Sequence, residues 1–531
     1  MFLLNMNSVT RIFVSLLFVF CWQSLVGASK PNVVILLVDD LGYADLSFLP
    51  HASADIETPA IDRLAKEGVY CSQAYATSPI CSPSRTGLIT GRYQSRWGNY
   101  WYGEGGLPSF ELTIPQALKE LGYSTKKIGK VHHNGGPAEH PLDHGFDEFL
   151  GFLHHTWDYL RISDADKEAY DARRKDAARS ATIGPLIRGR DEEVSMENAF
   201  TTDVFTEEAL EFIEREHDKP FYLQLDFNAV HMPTYVAHPK YAERVGLDQP
   251  DWNREAKDWA YPYWDPTIEP WNVWHQRWGH LGAVDSLGRK RYLSHMLALD
   301  ENIGRLVESL ERKGLRDNTL IVFLSDNGGT INTYANNQPL NGYKYMFGEG
   351  GIRIPILFSM PGMLPSGKTI SGLVSAMDVF PTILELVGGT IPSNLDGRSL
   401  VSFMNSGSSI GHDMLFWSNG KEFKNIKNPD EKNATNWVVR KGPWKLIQSG
   451  GWTHTNFEMK DGIAHSAPTY YYPKGLLLYN LEEDIGETKN LADEYPDLVT
   501  EMTLAYEGWK SKMLPPRNRQ QSMATTRAML K

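Results

Sequence analysis

Short, near-continuous apolar runs alternate along this chain with longer amphipathic stretches. Val33-Val34-Ile35-Leu36-Leu37-Val38 contains no polar position, so residues 30–40 read as a strand covered on both faces that stops on Asp39 and Asp40. Residues 319–324 repeat the pattern and stop on Ser325-Asp326-Asn327. Shorter strands are expected over 123–129 and 220–227, and helices over 59–67, 112–121, 204–216 and 291–313. In the last of these helices Leu297, Ile303, Leu306 and Leu310 form the apolar face. Strands alternating with helices predict an α/β fold with a large, mostly parallel sheet sandwiched by helices. Ligands of such sheets gather at the carboxyl ends of the strands, where both acid clusters lie.

The pattern changes after a helix expected at 378–387. A Ser- and Gly-rich stretch from Met404 to Gly411 marks a boundary, beyond which residues 437–440, 444–448 and 476–479 read as short antiparallel strands and 495–509 as a helix. The expected organisation is a catalytic domain over 29–405, a smaller C-terminal α+β subdomain over 406–515 and a loose polar tail over 516–531. At the other end, Arg11 precedes an apolar run over 12–22 broken only by Ser15, followed by Val26, Gly27 and Ala28. That is the layout of a removable signal peptide over 1–28, too short to cross a bilayer, which needs ~20 apolar residues. The expectation is an exported protein, periplasmic or secreted, with no membrane span once the signal is removed.

Charge and cysteine content narrow the function. The 531 residues carry 53 Lys+Arg against 65 Asp+Glu, a formal charge of −12, which argues against a nucleic-acid partner. A hydrophobic share of 41% excludes a disordered chain. Of three cysteines, Cys21 falls in the signal segment; Cys71 and Cys81 remain, and in an oxidising compartment they could form a disulfide.

The surroundings of Cys81 offer a second reading. In Cys81-Ser82-Pro83-Ser84-Arg85-Thr86-Gly87-Leu88-Ile89-Thr90-Gly91, Ser82 reads as an N-cap, Pro83 as the first helical residue and Gly91 as the stop. Cys81 then stands at the positive end of a helix with Arg85 one turn away, a place that favours an anionic nucleophile or an oxyanion. Cys81-x-Pro83-Ser84-Arg85 followed by Thr90-Gly91 resembles the signature of the type I, formylglycine-dependent sulfatases of the alkaline phosphatase-like superfamily. Ile89 stands where that family usually has Leu. The resemblance implies that Cys81 is oxidised to Cα-formylglycine by a formylglycine-generating enzyme acting on the nascent chain, which leaves Cys71 as a lone buried thiol.

Further motifs extend the resemblance over roughly residues 31–492. Asp39-Asp40 in Val38-Asp39-Asp40-Leu41-Gly42 and Asp326-Asn327 in Ser325-Asp326-Asn327-Gly328-Gly329 are similar to the family's two metal-binding pairs. With Cys81 they imply a Ca²⁺ site, whose chemistry suits hard oxygen donors. Lys130 and His132 match a Lys-x-His element, His231 a later histidine, and Lys344 a lysine preceding Glu349-Gly350-Gly351. The neighbouring His133 reads as structural. The resemblance implies these roles: a hydrated formylglycine attacks sulfur with help from the metal and Arg85; Lys130, His231 and Lys344 neutralise the sulfate oxygens; His231 or Lys344 protonates the departing alcohol; and His132 takes the proton whose loss expels sulfate.

The substrate is written less plainly. Arg96-Trp97-Gly98-Asn99-Tyr100-Trp101-Tyr102 closely follows the nucleophile helix, and residues 251–279 hold Trp252, Trp259, Trp264, Trp271, Trp274 and Trp278. Flat aromatic faces near a polar pocket suit sugar rings, although aromatic residues equally pack insertions against a sheet. A sulfated polysaccharide or oligosaccharide is the expected substrate. A phosphodiesterase or phosphonate hydrolase of the same superfamily, or a non-catalytic sulfated-glycan binder, are the alternatives. A complete set of Cys81, Arg85, Lys130, His132, His231 and Lys344 argues against the binder, which has no need of His132.

Overall fold

The computed structural model describes residues 30–101, 106–133, 140–154, 159, 186–194, 199–232, 234, 237–247, 287–406, 411–420, 437–460 and 463–517, with backbone alone over 452–460 and 463–471. The expected signal segment, the Trp-rich stretch, part of the 404–411 boundary and most of the tail lie outside these residues.

Among the described residues, sixteen strands follow one another along the chain: β1 (Asn32–Val38), β2 (Val69–Cys71), β3 (Ala74–Tyr75), β4 (Ser124–Lys130), β5 (Glu148–Phe152), β6 (Leu186–Arg188), β7 (Glu192–Val194), β8 (Phe221–Asp226), β9 (Thr319–Ser325), β10 (Ile356–Ser359), β11 (Lys368–Ile370), β12 (Val374–Ser375), β13 (Leu415–Ser418), β14 (Trp437–Lys441), β15 (Trp444–Lys460) and β16 (Ile463–Asn480). Ten form one sheet in the order β11-β2-β10-β9-β1-β8-β4-β5-β6-β7. Its centre, β9-β1-β8-β4-β5, is wholly parallel. Antiparallel pairings enter on both flanks through β10, β6 and β7.

Strand β1 shows why its apolar run is unbroken. Val34, Leu36 and Val38 face a core shared with Phe205, Phe212, Leu299 and Ile303 of helices Thr201–Glu214 and Gly288–Arg312. Val33, Ile35 and Leu37 face the opposite core, with Leu88, Ile89, Leu118 and Ile383 from helices Cys81–Thr90, Ile114–Glu120 and Val379–Leu386. Both faces are covered, so alternation disappears. Register then brings the strand ends together: Val38 pairs with Ser325, Leu37 with Asp226, and Asp226 with Gly129. Gly129 is required there, because its φ is 93° and a Cβ would stand 2.0 Å from the Asp226 carbonyl oxygen.

Strands β3 and β12 form a separate two-stranded parallel sheet, and the third sheet, β13-β14-β15-β16, is antiparallel. It packs on helix Pro496–Lys510, with Trp437 and Tyr506 stacked at 4.4 Å between ring centres.

Two expectations are corrected. The short strands read at 444–448 and 476–479 are the bases of a long hairpin, β15 with β16, because antiparallel pairing continues past Gly450, Gly451 and Gly475. The nucleophile helix begins at Cys81 with Ile80 as its cap, and no side chain caps it, so Ser82 is not the N-cap and Pro83 is not the first helical residue. The stop at Gly91 holds, in the left-handed conformation that glycine tolerates.

Candidate active site

Five backbone segments meet at the carboxyl edge of the central strands. Asp39 and Asp40 follow β1, Asp326 and Asn327 follow β9, Lys130 closes β4, and His231 comes five residues beyond β8. Cys81 opens its helix beneath them. Lys344 arrives on the long loop after β9, held through its backbone N–H to the Gly329 carbonyl at 3.0 Å. All these side chains are buried, Cys81 at 2% exposure and Lys130 and Asp40 at 0%.

Ligand atoms of Asp39, Asp40, Cys81 and His231 all lie within 4.8 Å of one another. His231 thus joins the group from which the sequence expected only Asp39, Asp40, Cys81, Asp326 and Asn327. Its Nε2 is 3.6 Å from Asp40 Oδ2, and its Nδ1 contacts the Met232 carbonyl at 2.6 Å, which assigns the proton to Nδ1 in the neutral ring. Asn327 Nδ2 donates to Asp40 Oδ1 at 2.7 Å, and the Asp40 N–H donates to Asp326 Oδ1 at 3.2 Å.

Cations interleave these acids. Lys130 Nζ reaches Asp39 Oδ2 at 2.5 Å, and Lys344 Nζ lies 2.7 and 2.8 Å from the two oxygens of Asp40. Arg85 spans three carboxylates: Nε and Nη2 face Asp326 Oδ2 at 2.9 and 2.8 Å, Nη2 lies 3.5 Å from Asp39 Oδ1, and Nη1 donates to Asp226 Oδ2 at 2.9 Å. His132 stands two residues beyond Lys130, buried, with φ 47° and its N–H on the Leu153 carbonyl at 3.2 Å. His133 is buried too, and burial with Lys127, His144 and Arg85 nearby holds its ring far below the usual imidazole range.

Protonation preferences follow from this geometry. Burial raises Asp40 and Asp326 above the ordinary carboxylate range in spite of Lys344 beside the first and Arg85 beside the second. Burial also pushes the Cys81 thiol up to about 11, against the pull of Lys130 and Lys344. An unmodified Cys81 is therefore a neutral thiol at pH 7; the helix end does not make it a ready thiolate. Cys71 is buried and unbridged, and its thiol is raised by burial, so the disulfide reading is set aside.

The donors fit a hard divalent cation. Asn327 Oδ1 and Asp39 Oδ1 are buried without a hydrogen-bond donor among the described residues, and two of the surrounding carboxyls are poorly stabilised as anions. Unsatisfied oxygens of this kind require a partner.

Sequence reasoning missed Asp226 and Lys127. Asp226 ends β8 as Asp39 follows β1, and this shared position at a carboxyl strand end is the signal that would have found it. Lys127 pairs with Asp226 Oδ2, the oxygen that also receives Arg85, and both side chains are 1% exposed.

Comparison with known proteins identifies the family. The Sulfatase family model matches residues 31–389, and the model described as N-sulphoglucosamine sulphohydrolase, C-terminal, matches residues 342–462. The human N-acetylgalactosamine-6-sulfatase is 30% identical over 508 residues, covering 91% of this chain and 86% of the relative, and human arylsulfatase D is 28% identical with 91% and 86% covered. Among solved structures, Ps i-CgsB in complex with k-i-k-neocarrahexaose superposes with a TM-score of 0.73 at 29% identity, over 94% of this chain and 97% of the other. A phosphonate monoester hydrolase of Agrobacterium radiobacter shares the fold at a TM-score of 0.58 and 20% identity, over 91% and 96%. The chain belongs to the sulfatase family and is a sulfuric ester hydrolase.

Proposed function

We propose that this sulfatase removes sulfate from a sulfated polysaccharide or oligosaccharide, using a formylglycine made from Cys81 by a formylglycine-generating enzyme, together with Ca²⁺, after export to the periplasm or medium. One observation carries the reading: a cysteine at a helix start, itself a poor thiolate, faces underused oxygen donors and two buried lysines at the end of a parallel sheet. Asp39, Asp40, Asp326 and Asn327 would hold the cation, which when bound supplies positive charge to the sulfate oxygens. A hydrated aldehyde at position 81 supplies a nucleophilic oxygen and a second hydroxyl through which sulfate can leave by elimination, a route closed to serine.

The chain's own groups do the rest. Asp39, Asp40, Asp226 and Asp326 balance Arg85, Lys127, Lys130 and Lys344, so the protein cluster is neutral as four pairs. One divalent cation makes it net positive, which suits a singly charged ester. Lys130 and Lys344 orient the sulfate oxygens, and Lys344 Nζ, or His231 as an imidazolium carrying a proton on Nε2, donates a proton to the departing alcohol. His132 accepts a proton in the second half of the cycle.

A carbohydrate substrate is supported by the likeness to a structure holding k-i-k-neocarrahexaose. It is supported also by Trp101, half-buried and 6.2 Å from the ring of Tyr345, the residue next to Lys344. Tyr345 itself sits 5.5 Å from Lys344 Nζ and adopts φ 77°, away from ordinary backbone preference. Sulfate release measured on a panel of sulfated glycans, aryl sulfates and phosphonate esters tests the proposal. Calcium-dependent release from glycans is expected; release from phosphonates alone, or tight glycan binding without turnover, overturns it.

A further inference from the structure

Asp226 is a buried carboxylate that neither holds the cation nor moves a proton in the mechanism above, yet it binds one arm of Arg85. The guanidinium is 2% exposed, so its charge must be compensated by neighbours. Three carboxylates share that task. Asp326 takes Nε and Nη2, and Asp39 takes Nη2 more distantly; both belong to the cation-binding set. Asp226 takes Nη1 at 2.9 Å from the opposite side and lies outside that set. Its other anchors are Gln224 Nε2, which donates to Oδ1 at 3.0 Å, and Lys127, which meets the same Oδ2 as Arg85. Tyr222 in turn donates to Gln224 Oε1 at 2.8 Å, so the carboxylate is fixed by side chains of its own strand and of β4.

A cation at this site needs the lone pairs and charge of Asp39 and Asp326, and Arg85 draws on both. Whatever draws Arg85 toward β8 leaves those two carboxylates freer for the metal. We propose that Asp226 is a positioning residue for the metal ligands: it competes with Asp39 and Asp326 for Arg85 and thereby raises the site's affinity for a divalent cation, with Lys127 as the counterweight that limits its pull. The inference rests on the calcium reading given above. It assigns opposite signs to two members of one ion pair. Without Asp226 the guanidinium turns wholly onto Asp39 and Asp326; without Lys127, Asp226 holds Arg85 more strongly.

The test is a CaCl₂ titration of the full chain after chelator treatment, followed by calorimetry and by the calcium-induced rise in Tm, for the parent, Asp226→Asn and Lys127→Met. Asp226→Asn is expected to weaken calcium binding roughly tenfold, the lower end of what loss of a partner behind metal ligands costs. Lys127→Met is expected to tighten it a few-fold. A purely structural pair predicts lower Tm for both variants and unchanged calcium affinity for both. That result, or a weakening in Lys127→Met, overturns the inference while leaving the calcium site standing. If Asp226→Asn does not fold, Lys127→Met carries the test alone. Absence of any calcium response in the parent overturns both the inference and the calcium reading. A second measurement isolates the route: in an Arg85→Met background, Asp226→Asn should lose most of its effect on affinity, whereas an effect of equal size there would make Asp226 a bare long-range charge and reject the positioning role.

Discussion

Two of the buried charge clusters among the described residues differ in where their carboxylates find cations. At the sheet edge, Asp40 and Asp326 stay above the ordinary carboxylate range although Lys344 and Arg85 touch them. At the contact between the large sheet and the C-terminal sheet, burial would raise Glu349 too, yet Lys445, Arg440 and Arg353 overcome it and hold the carboxyl at about 2. Lys445 lies 3.0 Å from Glu349 and 2.8 Å from Glu487, Tyr75 donates to Glu349 at 2.8 Å, and the Glu349 N–H donates to Glu487 at 2.7 Å. Buried acids alone do not mark a metal site, because structural networks are equally buried. At the junction three cations hold Glu349 down while burial raises its partner Glu487, as it raises Asp40 and Asp326; what sets the sheet edge apart is its donor set, with ligand atoms of Asp39, Asp40, Cys81 and His231 within 4.8 Å of one another.

The sharpest break between the clusters is catalytic. Cys81→Ser should abolish sulfate release, a loss on the order of 10³-fold or more, because serine lacks the second hydroxyl needed for elimination. Its Tm should stay near the parent value, since the side chains are nearly isosteric. Lys445→Met does the reverse. It leaves Glu349 and Glu487 facing each other and should cost about 3–5 kcal/mol of stability in a denaturant melt, with the calcium-induced rise in Tm intact. The same cluster sets an acid limit. Glu349 is held at about 2 against an ordinary 4.5, so its contribution to stability is complete above pH 4.5 and fades as the pH falls through about 2. Glu349→Gln should remove that part of the acid-induced fall in Tm, which a pH series of melts would show.

Smaller effects sharpen the comparison. Asp40→Asn should remove the calcium-dependent stabilisation, about 2.7 kcal/mol for the parent at a hundredfold excess over Kd, and lower the calcium-free Tm as well, because it leaves the buried Lys344 without its counter-ion. Trp101→Ala should raise KM for a sulfated oligosaccharide roughly tenfold, equivalent to one well-placed aromatic contact, while kcat holds. An equal change for a small aryl sulfate would reject the sugar-contact role.

Much of the sheet edge was legible in sequence because each proposed metal-binding pair ends a strand buried on both faces, so unbroken apolar runs stopping on Asp39-Asp40 and Asp326-Asn327 point straight at it. The Cys81 and Lys130 segments were legible through family resemblance. Asp226 escaped because a single acid after Phe221-Tyr222-Leu223-Gln224-Leu225 looks like any polar strand end; only register with Leu37 and Gly129 shows that it faces Arg85. The helix cap was misread for a local reason: serine and proline at 82 and 83 fit cap chemistry, yet the helix starts one residue before that serine, and the cap falls to Ile80. The junction cluster was illegible, since Glu349, Lys445 and Glu487 are far apart in sequence and only folding brings them together.

The central claim concerns the chemical state of position 81, and one peptide reads it. Trypsin cutting after Lys66 and Arg85 releases residues 67–85, which hold both Cys71 and Cys81. In protein from the native host, mass spectrometry after alkylation should show one alkylated thiol at Cys71 and an aldehyde at 81, together with sulfate release from the same sample. Two alkylated thiols, or a bridge between 71 and 81, in a preparation that still releases sulfate would contradict the account.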